Sequence, residues 1–402
     1  MNGPAAEYPS YGEMTTKWGE RMSPWIKDVL KEIMEGRREE AGAKITNDKV
    51  DTLLRQEGSS QKVFDMFSVS AMLTALQKHS KAKSILIELS KIVPSANLFA
   101  DISVSCKEAM EVTERLKYIE KAYELAPEDP AVCSMFSSAL VASNRIDEGL
   151  VFAKKSIDED PKKVEAFSSY LFNLHYQQEL DCGKIFDEHR RWASFNADKP
   201  QIENHGNDPE PERKIRIGYI SPDFRIHPVG FLIRPIMECH DRENVEVFAY
   251  GRVALDDALT RQIKKAADHY RGIYSLSEEE RVEQILEDKI DILVDLAGHT
   301  GGNCLEVLAY KPAPVQATYL GYFDTTGMEQ VDYFLTDDKM SPPESQQYHT
   351  EELIYFPETC FCYNLPKSSR EFNVRESPVL KNGFITFGMF SNPAKINPGI
   401  RG

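Results

Sequence analysis

The stretch that most constrains the fold of this chain is Lys214–Gly230, which reads KIRIGYISPDFRIHPVG. Its first half, residues 215–220, is a mostly apolar run, and such runs are typical of buried strands in parallel sheets. Its second half is a polar loop that carries Asp223, Arg225 and His227 ahead of a new apolar segment. Open α/β sheets bind their ligands at loops that follow the carboxyl end of a strand. The stretch therefore predicts an α/β domain, with His227 as the first candidate site residue.

The sequence after Lys214 alternates between strand-like and helix-like segments, which indicates a Rossmann-like α/β domain. The predicted strands cover residues 215–220, 245–250, 290–296, 315–320, 333–336, 353–356 and 384–387. The predicted helices cover residues 231–239, 256–267, 277–288 and 304–309. Ser277 followed by Glu280 forms a capping-box pattern at the start of the third of these helices.

The sequence before this domain is helical and carries a proline repeat. Pro94, Pro127 and Pro161 are separated by 33 and then 34 residues. A 34-residue period with a proline closing the second helix is the tetratricopeptide signature. We therefore predict a short solenoid of about three such repeats; the alternative is an irregular helical bundle with chance proline spacing. Gly149 supplies a small residue where paired helices must approach closely.

These patterns predict five segments along the chain. Residues 1–60 are a polar lead-in with one short amphipathic helix, and residues 61–200 hold the repeats and the helices that join them to the next domain. Residues 201–213 are a polar linker that contains Gly and Pro. Residues 214–382 are the Rossmann-like domain, and residues 383–402 begin a further one. His189, in the joining helices, is expected to be a packed or capping residue rather than a ligand.

Composition excludes several classes of function. The net charge of −16 argues against nucleic-acid binding, because phosphate contacts need a basic face. Seven cysteines without paired spacing give neither a disulfide framework nor a zinc motif, which favours a reducing compartment. The N-terminus lacks the pattern of a signal peptide, and no apolar run approaches the ~20 residues that span a bilayer. We therefore expect a cytoplasmic or nuclear protein that does not contact a membrane.

Three loops carry candidate chemistry, and each has a plain structural alternative. His227 could act as a general base, since the pKa of histidine lies near neutrality, or it could cap the next helix. His299 and Thr300 lie in a glycine-rich turn that could approach a ligand or be merely flexible and solvated. Lys395, close to Asn392, could hold a diphosphate as a point charge or be an ordinary exposed lysine.

Taken together, the motifs resemble the protein O-GlcNAc transferase family, including its SPINDLY-like members. The segments that carry the resemblance occur in the family's order, behind the repeats: RIGYISPDFRIHPVG, DILVDLAGHTGGN, KPAPVQATYLGYFDTTG, VDYFLTD and FGMFSNPAKI. The resemblance implies a two-lobed GT-B glycosyltransferase, in which residues 214–382 are the N-terminal, acceptor-side lobe. Residues 383–402 would then begin an incomplete donor-binding lobe, so that this chain alone would have little activity and would expose apolar surface.

The resemblance also implies an activity and roles for the candidate residues. The enzyme would be an inverting transferase that moves GlcNAc from UDP-GlcNAc to Ser or Thr of proteins, without a metal or other cofactor, and would bind protein acceptors through the repeats. His227 would be the catalytic base, and Lys395 would contact the donor diphosphate. Asn392 would bind the donor, as would His299 and Thr300. Two alternatives stay open: a GDP-fucose-dependent O-fucosyltransferase of the SPINDLY type, and a catalytically inactive scaffold whose repeats bind peptides.

Overall fold

A computed structural model describes residues 22–108, 110–364, 375–388, 390–391 and 393–396. The chain divides by compactness into two units. The first contains the described residues up to Glu159 together with 393–396, and the second contains those from Asp160 to 391. None of the described helices is both long and apolar enough to cross a lipid bilayer.

The first unit is helical throughout the residues described. Its α-helices are α1 (Pro24–Met34), α2 (Arg38–Lys44), α3 (Asn47–Arg55), α4 (Ser60–Ala75), α5 (His79–Ile92), α6 (Ala96–Glu108), α7 (Val112–Leu125), α8 (Pro130–Ala142) and α9 (Ile146–Glu159). A short 3₁₀ turn, Pro393–Lys395, also belongs to this unit and contacts α8. Helices α4 to α9 form three successive pairs, as the proline spacing predicted.

The pairs are built as tetratricopeptide-type repeats require. Pro94 and Pro127 each follow the second helix of a pair, and Asp129 caps the start of α8 by accepting from the backbone N–H of Ala131 at 2.8 Å. Gly149 lies where α9 meets α8, since a Cβ atom there would be 2.8 Å from the side chain of Val141. Stacking the pairs buries apolar faces that no single pair could cover.

The lead-in differs from its prediction, because residues 24–55 form three helices instead of one. Ile26, Val29 and Leu30 of α1 are buried in the same core cluster as Met66 and Leu73 of α4. A single amphipathic helix was predicted because the segments of α2 and α3 contain many charged and few apolar residues. Their few apolar side chains are nevertheless buried against the first repeat.

The second unit begins with two helices and continues as an α/β domain. The two helices are α10 (Val164–Leu174) and α11 (Cys182–Asn196). The strands are β1 (Ile215–Ser221), β2 (Val245–Gly251), β3 (His269–Gly272), β4 (Ile292–Asp295), β5 (Val315–Tyr319), β6 (Tyr333–Thr336) and β7 (Glu352–Tyr355). The remaining helices are α12 (Pro228–Cys239), α13 (Ala258–Ala266), α14 (Glu278–Glu287), α15 (Leu305–Leu308) and α16 (Val379–Asn382), with a 3₁₀ helix at Pro343–Tyr348.

The seven strands form one parallel sheet in the order β3-β2-β1-β4-β5-β6-β7. Chain order reverses between β1 and β4, as in doubly wound Rossmann-type sheets. Tyr219, Val247 and Val294 lie in the core between this sheet and the helices. Ser277 and Glu280 form the predicted capping box at α14.

Two strand predictions differ from the structure. The sequence did not predict β3, a four-residue edge strand in which three residues are half-buried and Gly272 is exposed. Conversely, residues 384–387 were predicted to be a strand, but they lie outside the sheet, and Phe384 and Phe387 are exposed. A strand needs a neighbour for its backbone hydrogen bonds, and this segment pairs with none of the described strands. The exposed apolar surface that was expected for residues 383–402 is present in this segment.

The boundary between the two units also differs from the prediction. The sequence analysis grouped residues 160–200 with the repeats, as helices that join them to the next domain, whereas α10 and α11 group with the sheet. Trp192 of α11 is fully buried, with its ring 4.6 Å from that of His299. The predicted linker also lies on the α/β domain: the N–H of Ile202 donates to Tyr310 O, and Arg213 forms a bidentate ion pair with Asp291. Polar composition predicted a linker at the domain boundary, and in the structure polar groups of this segment have partners on the α/β domain.

Candidate functional site

The candidate site lies at the carboxyl ends of β1 and β4, where the strand order reverses. A crevice forms at such a switch point because the connections from the two neighbouring strands run in opposite directions. The loop 222–227 follows β1, and the glycine-rich turn 296–303 follows β4. The two motifs selected from the sequence therefore meet at one edge of the sheet.

Contacts among three loops hold this edge together. The N–H of Arg252, after β2, donates to Ser221 O at 2.9 Å, and its guanidinium donates to Asn303 O at 2.7 Å. Gly302 lies against Pro222, since a Cβ atom at Gly302 would be 3.3 Å from that ring. Arg252 thus connects the β1 loop to the glycine-rich turn.

The β1 loop has a fixed path to His227. Asp257, the N-cap of α13, accepts from the backbone N–H of Ile226 at 2.5 Å. Gly230, in the first turn of α12, lies so close to the loop that a Cβ atom there would be 2.4 Å from Arg225 O. A side chain at residue 230 would displace the loop, so the glycine allows the tight return into α12.

His227 is the N-cap residue of α12 and has a half-buried side chain. Its Nδ1 lies 3.4 Å from the N–H of Val229 and 3.4 Å from Oδ2 of Asp223. Burial lowers the pKa of His227, the carboxylate of Asp223 partly opposes this, and the charge of Arg225 lowers it further. The imidazole is therefore neutral at pH 7, as a general base must be. His227 therefore caps α12, as one prediction held, and is also in the neutral form that a general base requires.

The glycine-rich turn is held by a buried carboxylate that the sequence analysis missed. Asp295, at the end of β4, accepts from the N–H groups of Ala297 and Gly298 at 3.2 and 2.6 Å, and from the hydroxyl of Thr318 at 3.0 Å. Burial raises its pKa to about 6, although these donors favour the charged form. An acidic residue directly after an apolar strand was the signal available in the sequence.

The structure places His299 in the interior, whereas the sequence predicted a ligand-facing or solvated side chain. Its Nε2 donates to Thr326 O at 2.9 Å, and its Nδ1 accepts from the hydroxyl of Ser168 at 3.1 Å. Burial holds the pKa of His299 well below its ordinary value, so the ring is neutral. Both ring nitrogens are used within the fold. The neighbouring Thr300 is half-buried, and its hydroxyl donates to Ala297 O at 2.8 Å.

Two further histidines continue this interior network from α10 and α11. His189 donates through Nδ1 to Ile185 O at 2.7 Å and accepts at Nε2 from the hydroxyl of Tyr322 at 2.8 Å. Burial lowers its pKa to about 4. The expectation that His189 is a packed residue agrees with these contacts. No sequence pattern predicted Tyr322 as its partner.

His175 differs, because its Nε2 lies 2.8 Å from the carboxylate of Asp324 while its Nδ1 donates to Leu171 O. Burial tends to lower the pKa of His175, but the hydrogen bond to Asp324 and the negative charge outweigh it, and the pKa is raised. Burial tends to raise the pKa of Asp324, but the bond from His175 dominates and lowers it to about 2. Both shifts favour the charged forms, so each group stabilises the charge of the other.

The two remaining site candidates lie at the end of the chain. Lys395 is exposed, in a 3₁₀ turn that belongs to the first unit, whereas His227, His299 and Thr300 belong to the second. Its turn is anchored by the buried Ala394 and by Asn144, whose amide donates to Ile396 O at 3.0 Å. Asn392 lies outside the described residues.

One group among the described residues could offer three ligands to a metal ion: Cys106, Glu111 and Glu114, in the repeats. The ammonium group of Lys83 forms an ion pair with Glu111 and lies 3.4 Å from Glu114. Burial raises the pKa of Cys106 to about 11, so its thiol is protonated at neutral pH. A lysine already balances the carboxylates, and a protonated thiol is a poor ligand.

Comparison with known proteins identifies relatives of the α/β domain. Residues 196–373 match the family model described as Glycosyl transferase family 41. A probable UDP-N-acetylglucosamine–peptide N-acetylglucosaminyltransferase SPINDLY of Petunia hybrida is 38% identical over 246 residues, which are 60% of this chain and 26% of that protein. The corresponding probable SEC enzyme of Arabidopsis thaliana is 36% identical over 195 residues, or 47% of this chain and 20% of that protein.

A solved structure of a Thermobaculum terrenum O-GlcNAc transferase mutant is 28% identical, with a TM-score of 0.70. The match covers 80% of this chain and 60% of that one. The chain thus spans about a quarter of the length of the curated SPINDLY relatives and more of the solved structure. The predicted fold class, helical repeats followed by the Rossmann-like lobe of a GT-B glycosyltransferase, is confirmed. Residues 196–373 of this chain form a glycosyl transferase family 41 domain, as the resemblance to protein O-GlcNAc transferases implied.

Proposed function

We propose that this protein acts in the transfer of GlcNAc from UDP-GlcNAc to Ser or Thr hydroxyls of proteins. The observation that carries the proposal is His227, which is neutral and half-buried in the loop at the switch point of the sheet. The names of the SPINDLY and SEC relatives support UDP-GlcNAc as the donor and peptides as acceptors.

The proposed reaction needs one proton acceptor and one cation. His227 takes the proton of the acceptor hydroxyl while the hydroxyl oxygen attacks the anomeric carbon of the sugar. The nucleoside diphosphate leaves, and the configuration at the anomeric carbon is inverted. Lys395 supplies a positive charge for the leaving diphosphate. Asn392 and Thr300 are proposed donor contacts. His299 is a weaker candidate, because both of its ring nitrogens already have partners.

The other partner assignments are also proposals. The stacked helix pairs of α4 to α9 support binding of extended peptide segments, as helical repeats provide extended surfaces. Two expectations from the sequence, independence from metal ions and a cytoplasmic or nuclear location, stay predictions. The first is checked by whether a chelator leaves transfer unchanged.

The test is sugar transfer by the purified 402-residue chain. Labelled UDP-GlcNAc and GDP-fucose are offered separately with a Ser/Thr-rich protein acceptor. We expect slow transfer from UDP-GlcNAc alone that Lys395→Ala abolishes. Lys381→Ala is the matched control, because Lys381 is another exposed lysine near the end of the chain.

Each other result selects an alternative. Transfer from GDP-fucose only would make the protein an O-fucosyltransferase. A folded chain that uses neither donor would be a peptide-binding scaffold or an enzyme whose donor-binding lobe is incomplete. Transfer that Lys395→Ala leaves intact would remove that residue from the proposed mechanism.

A further inference from the structure

The Nδ1 atom of His227 has two possible partners that require opposite protonation states. It lies 3.4 Å from Oδ2 of Asp223 and 3.4 Å from the backbone N–H of Val229. A carboxylate can only accept a hydrogen bond, and a backbone amide can only donate one. A neutral imidazole carries a single proton, so the partner that Nδ1 chooses decides which nitrogen has the free lone pair.

The carboxylate of Asp223 is held in place for this contact. Asp223 is only 4% exposed, and its Oδ1 accepts from the guanidinium of Arg225 at 3.1 Å, which leaves Oδ2 facing His227. Its main chain is also fixed, because its N–H donates to Ser221 Oγ at 3.0 Å and its carbonyl accepts from Arg225 N at 2.7 Å. Rotation of the carboxylate away from His227 would therefore break its hydrogen bond with Arg225.

The two partners of Nδ1 differ in strength. A hydrogen bond to a carboxylate is charge-assisted and about twice as strong as one between neutral groups. The N–H of Val229 belongs to the first turn of α12, where such donors can be satisfied by water. In the structure Nδ1 accepts from the N–H of Val229, whereas its contact with the carboxylate has the distance of an ion pair without the alignment of a hydrogen bond. Rotation of the ring toward Oδ2 would align the two groups, and the stronger, charge-assisted bond should then hold the proton on Nδ1. Among the described residues, Nε2 of His227 has no hydrogen-bond partner.

We infer that Asp223 is a positioning residue that keeps the proton of neutral His227 on Nδ1 and leaves the lone pair of Nε2 free for an acceptor hydroxyl. The inference rests on the proposed function. In the reaction, the hydroxyl O–H bond breaks and its proton moves to Nε2. The oxygen bonds to the anomeric carbon, and the bond to the diphosphate breaks with its electron pair. The imidazolium that forms is stabilised by Asp223.

The tautomer can be read without any sugar transfer. The chain is labelled with ¹⁵N-histidine, and two-bond ¹H–¹⁵N correlation spectra are recorded at pH 7.5. The signals of His227 are identified by their loss in His227→Gln. We expect Nδ1 to be the protonated nitrogen in the wild type, with Nε2 unprotonated. Spectra showing that Nε2 is the protonated nitrogen of the wild type would by themselves overturn the inference.

Asp223→Asn tests the cause. An amide has only one oxygen, and Arg225, which can only donate, would hold it. The amide NH₂ would then face Nδ1 of His227 and would require it to accept. We expect the protonated nitrogen to change from Nδ1 to Nε2. Arg225→Ala is the matched control, because it removes a contact to the same carboxylate but leaves Oδ2 for His227, and it should keep the wild-type tautomer.

The spectra also separate the possible failures. Unchanged signals of the interior histidines His189 and His299 would show that a variant is folded. A folded Asp223→Asn variant with the wild-type tautomer would refute the role of Asp223. If transfer is observed, Asp223→Asn should lower its rate by roughly 10²-fold with little change in acceptor KM. Failure of transfer in the wild type would refute sugar transfer by this chain alone and leave the tautomer measurement intact.

Discussion

The histidines of the second unit differ in charge because their surroundings differ. His189 and His299 are fully buried with neutral partners, so burial lowers the pKa of each ring. His175 faces the carboxylate of Asp324, and this contact outweighs burial and raises its pKa. The same residue type therefore serves as a neutral interior group in two places and as half of an ion pair in a third.

The low pKa of His189 predicts a pH dependence of stability. Its pKa is about 4 in the folded protein, against 6.5 for the unfolded chain. Between these values the unfolded chain binds more protons, so the free energy of unfolding falls as pH falls, by about 1.4 kcal/mol per pH unit. His189→Gln should remove this contribution. The measurement is urea unfolding between pH 6.5 and 4.5. It is monitored by the fluorescence of Trp192 in proteins whose other two tryptophans are replaced by Phe.

The pH dependence of the free energy of unfolding must be compared between the wild type and His189→Gln, because another buried group changes this free energy in the opposite direction. Asp295 has a raised pKa of about 6, so it binds protons more readily in the folded state and stabilises the fold as pH falls. Its contribution is present in both proteins and cancels in the difference. Equal slopes for the wild type and His189→Gln would show that His189 is not held neutral by burial.

At the scale of elements, α11 is attached to the turn after β5 by a close backbone approach. Gly327 has a φ of +74°, and a Cβ atom there would be 2.5 Å from His189 O. The same turn is fixed from the other side by the buried carboxylate of Glu351, which accepts from the N–H of Thr326 at 2.7 Å and the hydroxyl of Thr325 at 2.6 Å. Glycine at residue 327 therefore meets two requirements, one of conformation and one of space.

Gly327→Ala should destabilise the second unit by about 3 kcal/mol or more. The left-handed conformation costs about 1–2 kcal/mol for alanine, and the overlap with α11 adds to it. Gly383→Ala separates the two effects, since Gly383 has a φ of +73° and no atom near its Cβ position. Gly383→Ala should therefore lower the free energy of unfolding only by the cost of the left-handed conformation. The free energies come from urea unfolding, and equal losses in the two variants would show that the approach to α11 is unimportant.

At the scale of the whole molecule, the chain changes from repeats to α/β domain before its polar linker. Helices α10 and α11 supply buried partners to the loops of the sheet, including Ser168 for His299 and His189 for Tyr322. Without these helices the loops would keep buried polar groups that lack partners, which costs about 1–3 kcal/mol for each group. The α/β domain is therefore incomplete when it begins at its first strand.

Two fragments test this boundary. Residues 160–391 should fold with a cooperative thermal transition in circular dichroism, because they contain α10 and α11. Residues 214–391 should lose that transition or melt far lower. A fragment 214–391 that unfolds as cooperatively and at the same temperature as 160–391 would place the boundary at the linker instead.

The sequence determined most of the elements and the family of the α/β domain. Apolar runs and turn residues were sufficient to locate six of the seven strands, because a strand buried on both faces must be apolar. The proline period was sufficient for the repeats, because each repeat must end its second helix at the same place. The motif 214–230 also located the loop of His227, since the carboxyl end of a strand is visible in the sequence.

Only the tertiary structure decided how these loops are used. Burial depends on packing between distant segments, so the sequence could not show that His299 is enclosed by Trp192 of α11. Strand pairing also depends on a neighbour, which is why residues 384–387 have a strand-like sequence and yet lie outside the sheet. The proton of His227 is likewise set by Asp223 and Val229, through distances that arise when the loop folds back onto α12. Chemistry at this site depends on contacts across the fold, whereas the elements depend on patterns along the chain.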